Sequence, residues 1–180
     1  MSPSEKMRVV LADPPWKFYG ARHSGVKCPY KTMSTRDIKK LGVRELVGDE
    51  GVIFMWTTDT HLAQALKVMA AWGFVYKTIA FVWVKTTKRM VPVRRNGFYT
   101  RKSCEICLLG TRGAGACKMI DFKPKQLVVA PAREHSRKPD EVGLRIKAMF
   151  PQCKRYELFA RQKVDGWQVW GDEVSCDFEI

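Results

Sequence analysis

Val9-Val10-Leu11-Ala12-Asp13-Pro14-Pro15-Trp16 is an apolar strand that runs into an acid, two prolines and a tryptophan. Proline lacks an N–H and disfavours the helical conformation of the residue before it, so Asp13 and Pro14 are held extended where the strand ends. The Asp13 carboxylate and the backbone carbonyls of Asp13 and Pro14 can then accept from one N–H donor, while Trp16 offers a flat face to a ring. Residues 13–16, called the tetrad below, are thus a candidate site for an amine carried by an aromatic ring.

The tetrad suits a particular chemistry, the transfer of a methyl group to an amine. An exocyclic amine on a nucleobase is a poor nucleophile because its lone pair is delocalised into the ring. Acceptors on its N–H bonds favour a pyramidal nitrogen, free the lone pair to attack an electrophilic methyl group and stabilise the charge that develops on nitrogen. The alternative is a plain strand-to-turn exit, since Asp and Pro are common turn residues; for Trp16 it is core packing.

Composition predicts one folded domain. A chain of 180 residues with 46% hydrophobic content is long enough for a substantial core. No apolar run approaches the roughly 20 residues that span a bilayer, and the start lacks a signal peptide's apolar stretch, so we expect a cytoplasmic protein without membrane contact. The six cysteines are expected to be reduced. Cys104 and Cys107 form a lone CxxC, which predicts core packing and no metal site, because structural zinc needs four ligands.

The charge predicts a polyanionic partner. The formal net charge is +14 and the isoelectric point is near 9.7, and such an excess favours nucleic acid. Residues 86–102 hold six Lys and Arg residues and two aromatics between two predicted strands, a mixture that suits phosphate and base contacts. The candidate contacts with nucleic acid are Lys85, directly before this stretch, and Arg94, Arg95 and Tyr99 within it. The alternatives are a solvated loop without a partner and, less favoured, a membrane surface.

Strand and helix patterns alternate along the chain, which predicts an α/β fold. Strands are expected at residues 8–12, 52–57, 75–85, 104–110, 126–130 and 155–160, and helices at residues 35–46, 60–72 and 140–150. Open α/β sheets bind ligands beyond the carboxyl ends of their strands, and the tetrad stands at such an end. A GxGxxG fingerprint is absent from the sequence, which argues against a dinucleotide enzyme.

The chain resembles the MT-A70 family of S-adenosylmethionine-dependent N6-adenine methyltransferases from about Val9 to Glu173. Six segments in matching order carry the resemblance: Asp13-Pro14-Pro15-Trp16; Pro29-Tyr30-Lys31-Thr32-Met33-Ser34; Phe54-Met55-Trp56-Thr57; Trp83-Val84-Lys85-Thr86; Glu105-Ile106-Cys107-Leu108-Leu109-Gly110; and Lys138-Pro139-Asp140-Glu141 with Glu157-Leu158-Phe159-Ala160-Arg161. Residues 166–173 look most like the compact prokaryotic and phage branch.

The resemblance implies a single-domain, Rossmann-like class I methyltransferase fold over residues 1–180. Its order would be permuted, so that the tetrad strand precedes the cofactor strand at residues 155–161. The implied function is transfer of a methyl group from S-adenosylmethionine to N6 of adenine in DNA, with no metal. RNA as substrate, methylation of cytosine N4, and a catalytically silent nucleic-acid-binding subunit are the alternatives; a homodimer or a partner subunit stays open.

The resemblance also implies roles for individual residues. Asp13, Pro14, Pro15 and Trp16 would be catalytic, with Asp13 bonded to the target amine and also part of the cofactor site. Tyr30 and Glu105 would line the adenine pocket; from the sequence alone Glu105 is a surface strand residue. The implied cofactor contacts are Lys138 for the methionine carboxylate, Glu157 and Arg161 for ribose hydroxyls, and Asp172 and Glu173 for ribose and adenine.

Those cofactor contacts include departures from the eukaryotic members. The eukaryotic members carry an extra strand with an acid ahead of the tetrad, whereas only twelve residues precede Asp13. They also have His-Asn shortly after the arginine that matches Arg161, where this chain has Gln162-Lys163-Val164-Asp165. Asp172 stands where many relatives have Asn.

Overall fold

The structure is a computed structural model that describes residues 8–17, 31–113, 124–134 and 137–180. Within these ranges the strands are β1 Arg8–Ala12, β2 Gly51–Thr57, β3 Val75–Thr86, β4 Cys104–Arg112, β5 Leu127–Pro131, β6 Lys154–Leu158 and β7 Gln168–Trp170. The α-helices in the same ranges are α1 Thr35–Lys39, α2 Val43–Val47, α3 Leu62–Ala71 and α4 Asp140–Met149, and a 3₁₀ turn at Asp59–His61 leads into α3.

The described strands form one sheet in the order β5-β3-β4-β2-β1-β6-β7. Strand β4 runs antiparallel to its neighbours β2 and β3, and the remaining pairs are parallel. Strand β1 lies inside the sheet, where Val10 pairs with Ile53 on one side and Tyr156 on the other. The predicted Rossmann-like α/β architecture is confirmed, and the permuted order of its strands stays a prediction.

Helices cover both faces of the central strands, as their continuous apolar sequences require. Every residue of β2 is buried. On one face α4 packs Val142 and Ile146 against the sheet, and on the other α1 and α3 enclose the side chains that surround Trp72. The Trp72 indole N–H donates to the Ile38 carbonyl at 3.1 Å, so the large buried ring leaves no unpaired donor.

Three elements differ from the prediction. The expected helix at residues 35–46 is two short helices, because the chain turns between Lys40 and Gly42 and α2 begins anew with Gly42 at its N-cap. The predicted strand 155–160 ends at Leu158, since Phe159 has a positive φ of 62° that no strand can continue. Strand β7 was not predicted; its three residues are too few to show an alternation.

The sheet gathers the chain's polar strand ends at one edge. The parallel strands β1, β2 and β6 all end there, and antiparallel β4 begins there. The Asp13 N–H bonds to the Leu158 carbonyl at 3.4 Å, so the turn after β1 lies beside the turn after β6. Residues that are far apart in the sequence are therefore adjacent at this edge.

None of the helices within the described ranges has the length and apolar character that a membrane span needs.

Gly171, just after β7, is packed against the turn that follows β6. A Cβ there would overlap the Ala160 carbonyl oxygen and lie 2.7 Å from the Ala160 nitrogen, both backbone atoms that cannot move independently. We expect Gly171→Ala to lower the free energy of unfolding by about 1–3 kcal/mol, measured by urea denaturation. Gly143→Ala is the control, because a Cβ at this position in α4 meets nothing within 4 Å and alanine favours a helix. Equal stability of the Gly171 variant and the wild type would contradict this packing.

Candidate active site

The tetrad is held in place by backbone hydrogen bonds. The Trp16 N–H donates to the Pro14 carbonyl at 2.8 Å, and the Met33 N–H donates to the Pro15 carbonyl at 2.9 Å. The Pro14 carbonyl therefore keeps one lone pair for a further donor, since a carbonyl oxygen can accept two hydrogen bonds. The Asp13 side chain, 28% exposed, is the principal acceptor that the tetrad presents.

A chain of alternating charges leads away from Asp13. The Lys138 Nζ lies 2.8 Å and 2.7 Å from the two carboxylate oxygens of Asp13 and 3.3 Å from Glu105 Oε2. The Lys85 Nζ bonds to Glu105 Oε1. This series, Asp13–Lys138–Glu105–Lys85, is called the charge chain below. Its lysines and Glu105 are largely buried, with side chains that are 10–18% exposed.

The charge chain keeps Glu105 and Lys138 ionised. Burial alone would raise the pKa of Glu105, but Lys138 and Lys85 outweigh it and hold that pKa below its ordinary value. Burial would lower the pKa of Lys138, and Asp13 and Glu105 instead raise it. Each charge is therefore stabilised by its neighbours of opposite sign. Glu105, which the sequence alone places on the surface, is 9% exposed because these two cations accompany it.

Aromatic rings form the apolar wall behind the charges. The Lys138 ammonium lies 5.7 Å from the centre of the Trp56 ring, and the Lys85 ammonium lies 4.9 Å from that of Trp83. Both distances suit a cation–π contact, which stabilises a partly desolvated ammonium. Trp56 in β2 and Trp83 in β3 pack edge to face.

Lys138 is positioned by the turn before α4. Arg133 donates to both carboxylate oxygens of Asp140, at 2.7 Å and 2.9 Å, and to the Lys138 carbonyl. The hydrogen bond from Arg133 lowers the pKa of Asp140. Since Pro139 is the N-cap and Asp140 and Glu141 occupy the first turn, the structure confirms the predicted helix start next to Lys138.

Two cavities meet on the Asp13–Lys138 pair. The first, of about 370 Å³, is lined by the tetrad together with Glu105, Lys138, Arg161 and Asp172. The second, of about 330 Å³, has Asp13, Lys138, Glu157, Arg161 and Glu173 among its lining residues. Both volumes lie in the range of small-molecule sites. One ion pair thus faces two adjoining spaces.

Glu157 is the carboxylate with the most perturbed acidity at this edge. It lies in β6 and is partly buried against the second cavity. Burial, with Asp13 and then Asp140 nearby, raises its pKa from 4.5 to about 7. A carboxyl group with such a pKa changes its charge within the physiological range.

The remaining predicted cofactor residues come together around the turns after β6 and β7. Arg161 follows β6, and its Nε lies 3.6 Å from Glu173 Oε1. Asp172 and Glu173 are exposed and line the first cavity. Their proximity to Asp13 is a structural fact, and their roles as cofactor contacts stay predictions.

Trp16 is buried, with 5% of its surface exposed. Its indole N–H donates to the Trp56 carbonyl at 3.3 Å, and its ring stacks on His61 with centroids 5.8 Å apart. The ring therefore packs in the core and also lines the first cavity. No motif in the sequence points to His61, which follows Asp59 and Thr60 directly before α3.

Residues 86–102, called the basic run, are held by hydrogen bonds and an ion pair. Within the run, Arg95 and Lys102 exchange backbone hydrogen bonds of 3.0 Å, and Lys102 Nζ lies 2.7 Å from Asp59, outside it. Arg94, Arg95 and Tyr99 are exposed, as a contact with nucleic acid requires. Lys85 differs, because its ammonium belongs to the charge chain.

Some sequence predictions concern residues that the structure does not describe. Tyr30, predicted to line the adenine pocket, lies outside the described ranges, and so do Cys28 and Cys117. Of the described cysteines, Cys104 is exposed and Cys107 is buried. Burial raises the pKa of the Cys107 thiol well above its ordinary value, so this thiol is neutral. Among described residues no cluster of three His, Cys, Asp or Glu side chains is placed to hold a metal ion.

Comparison with known proteins places this site in a family. A family model described as MT-A70 matches residues 7–173. The Type II methyltransferase M.MunI of Mycoplasma sp is 31% identical over 191 residues, which cover 96% of this chain and 79% of that protein. The N(6)-adenosine-methyltransferase MT-A70-like of Arabidopsis thaliana is 34% identical over 173 residues, 93% of this chain and 24% of that protein.

A similar match is found to the N(6)-adenosine-methyltransferase catalytic subunit METTL3 of Homo sapiens, which is 29% identical over 94% of this chain and 28% of its own length. The chain thus spans about a quarter of these two eukaryotic relatives and most of the Mycoplasma protein. Since the family model covers residues 7–173 and a relative more than 30% identical is matched over most of its length, the chain belongs to the MT-A70 family.

Proposed function

We propose that the protein transfers a methyl group from S-adenosylmethionine to N6 of adenine in DNA. The observation that carries the proposal is the Asp13–Lys138 pair, which faces two adjoining cavities. One cavity contains the tetrad, which suits an amine on a ring, and the other contains acids and cations. Relatives named as methyltransferases, including N(6)-adenosine-methyltransferases, support the same reaction.

The residues around the second cavity fit S-adenosylmethionine. This cofactor carries a carboxylate, an ammonium group, ribose hydroxyls and an adenine ring, and when bound it supplies an electrophilic methyl group. Lys138 would pair with the carboxylate and Asp13 with the ammonium, while Glu157 would accept from ribose hydroxyls. Because Lys138 already bonds to two oxygens of Asp13 and one of Glu105, a ligand carboxylate would replace one of these contacts.

The tetrad would act on the amine of the target adenine. Asp13 and the free lone pair of the Pro14 carbonyl would accept its two N–H bonds, which favours the pyramidal nitrogen that attacks. Glu105 would accept from the ring edge. Where the bound base displaces water from this pocket, these acceptors would stabilise developing positive charge more strongly than solvent does.

The substrate would enter as an unpaired base. In a duplex the target nucleotide must be flipped out of the stack, which costs a few kcal/mol and is easiest in unpaired strands. The net charge of +14 and the exposed Arg94 and Arg95 would attract the phosphate backbone. Binding is therefore expected to weaken steeply as salt rises.

We prefer DNA over RNA because of the lengths that match. A Type II methyltransferase is matched over most of both proteins, whereas the two N(6)-adenosine-methyltransferases are matched over about a quarter of their own length. RNA is the second candidate, because N(6)-adenosine-methyltransferases are among the relatives that match. A silent subunit is disfavoured by the intact pair of Asp13 and Lys138. A homodimer or a partner subunit stays compatible with this proposal.

Nucleoside mass spectrometry tests the function directly. The purified protein is incubated with S-adenosylmethionine that carries a deuterated methyl group and with duplex DNA, single-stranded DNA or RNA in parallel. We expect labelled N6-methyldeoxyadenosine, most rapidly in single-stranded DNA. If only RNA is labelled, RNA and not DNA is the substrate. If calorimetry shows that the cofactor binds but no nucleic acid is labelled, the proposed activity is wrong.

The same assay tests Asp13. In Asp13→Ala the Lys138 ammonium keeps Glu105 as its partner, so we expect the fold to survive and the methylation rate to fall at least about a hundredfold. Asp49→Ala is the matched control, because Asp49 is exposed at the opposite end of β2. Retained turnover in Asp13→Ala would remove the carboxylate from the mechanism.

Glu157 gives the protein a predictable dependence on pH. Because its pKa is about 7 in the folded state and 4.5 ordinarily, the folded protein holds a proton that the unfolded chain loses between these values. The free energy of unfolding should therefore fall as the pH rises from 4.5 to 7. We expect Glu157→Gln to be about 1–3 kcal/mol more stable than the wild type at pH 8, and not below pH 4.5.

Urea denaturation at several pH values measures this effect, and Glu179→Gln, at an exposed carboxylate, is the control. A difference between Glu157→Gln and the wild type that does not change with pH would show that burial leaves the acidity of Glu157 ordinary.

A further inference from the structure

A third cavity, of about 610 Å³, lies beside the proposed target pocket and has no role so far. The 3₁₀ turn and the start of α3 form one side, and the basic run forms the other. Its lining residues include Thr58, Gln64, Arg95, Phe98 and Glu105. The volume is ample for one nucleotide.

Gln64 lines this cavity, and its side-chain oxygen has no hydrogen-bond partner in the part of the chain that the structure describes. This oxygen, Oε1, is buried. A buried acceptor of this kind costs free energy unless a donor reaches it. A ligand that brings an N–H group would therefore stabilise Gln64 once its amide oxygen, shielded from solvent in the structure, turned into the cavity.

Phe98 and Arg95 supply the other two features of a nucleotide site. Phe98 is 85% exposed and lines the cavity, so its ring face is available for stacking. Arg95 is exposed in the same wall and carries a charge that phosphate attracts. An aromatic platform next to a cation is the usual arrangement in proteins that bind single strands.

The third cavity shares lining residues with the pocket of the tetrad. Thr58 and Glu105 line both cavities. His61, which also lines the third cavity, stacks on Trp16 of the tetrad. A strand that places one base beside Asp13 therefore has its next nucleotide within reach of Gln64 and Phe98.

We propose that this third cavity binds the nucleotide adjacent to the target adenine, with its base stacked on Phe98 and an exocyclic amine donated to Gln64. The proposal rests on the proposed function, which supplies the target base. It makes Gln64 a specificity-determining residue, since glutamine reads bases by accepting from an amine. Cytosine and thymine, which match in size, differ at the position concerned, because cytosine has an amine and thymine a carbonyl oxygen.

The test uses single-stranded DNA oligonucleotides with one adenine and either cytosine or thymine on each side of it. Two readouts are taken, the rate of N6 labelling and the dissociation constant from fluorescence anisotropy. For wild type we expect cytosine on one side to be preferred by about five- to tenfold. In Gln64→Met the ratio should approach one, and Phe98→Ala should weaken binding of both oligonucleotides alike.

Gln168→Met is the matched control, because Gln168 is exposed on β7, away from the cavity. Gln64→Met should be as stable as the wild type in thermal denaturation, since the lost oxygen had no partner among the described residues. An unchanged ratio in Gln64→Met, or no preference in the wild type, would overturn the proposal. If no oligonucleotide is labelled, the proposed function fails, and the anisotropy ratio alone then decides whether the cavity reads a base.

Discussion

The site depends on a buried lysine held between two carboxylates. The Lys138 ammonium contacts both oxygens of Asp13 and one oxygen of Glu105, and its side chain is 15% exposed. Desolvating three charges is costly, and it is tolerated only when each charge keeps a partner. Lys85 completes the balance by neutralising the second acid. The charge chain thus connects the turn after β1, strands β3 and β4, and the turn that precedes α4.

In the proposed function this arrangement would let one edge of the sheet bind two ligands at once. Asp13 and Lys138 line both of the cavities that meet on them. The proposed donor and acceptor of the methyl group would therefore share the same carboxylate, which aligns them. In the proposed function Glu105 serves twice, as the partner of two lysines and as a wall of the base pocket, so its position is fixed before any substrate arrives.

Many of the strands and helices could be predicted from the sequence, because they depend on local residue patterns. Strand β1 has the expected bounds, and the residues that end it, Asp13 to Trp16, could be interpreted from the chemistry of proline and an acid alone. The start of α4 after Pro139 was also predictable from its capping residues. The family resemblance added the predicted cofactor contacts, and the structure brings those residues to the same edge.

The rest required tertiary contacts. Glu105 has no local signal for burial, since its partner Lys85 is 20 residues away, and Lys138 is 125 residues from Asp13. The stacking of Trp16 on His61, and the oxygen of Gln64 that has no partner within the described ranges, likewise depend on how α3 packs against the tetrad. Such pairs arise only when the sheet order brings distant turns together, which periodicity in the sequence does not report.

A double-mutant cycle on the free energy of unfolding tests the role of the buried lysine. Lys138→Met alone leaves the Asp13 carboxylate beside a methionine, whereas Asp13→Asn with Lys138→Met leaves Glu105 paired with Lys85 and no unpaired charge. We expect Lys138→Met to cost about 3 kcal/mol and the double variant to recover about 2 kcal/mol of that loss. If the two single changes simply add, or if Lys138→Met leaves stability unchanged, the charge chain does not hold this site together.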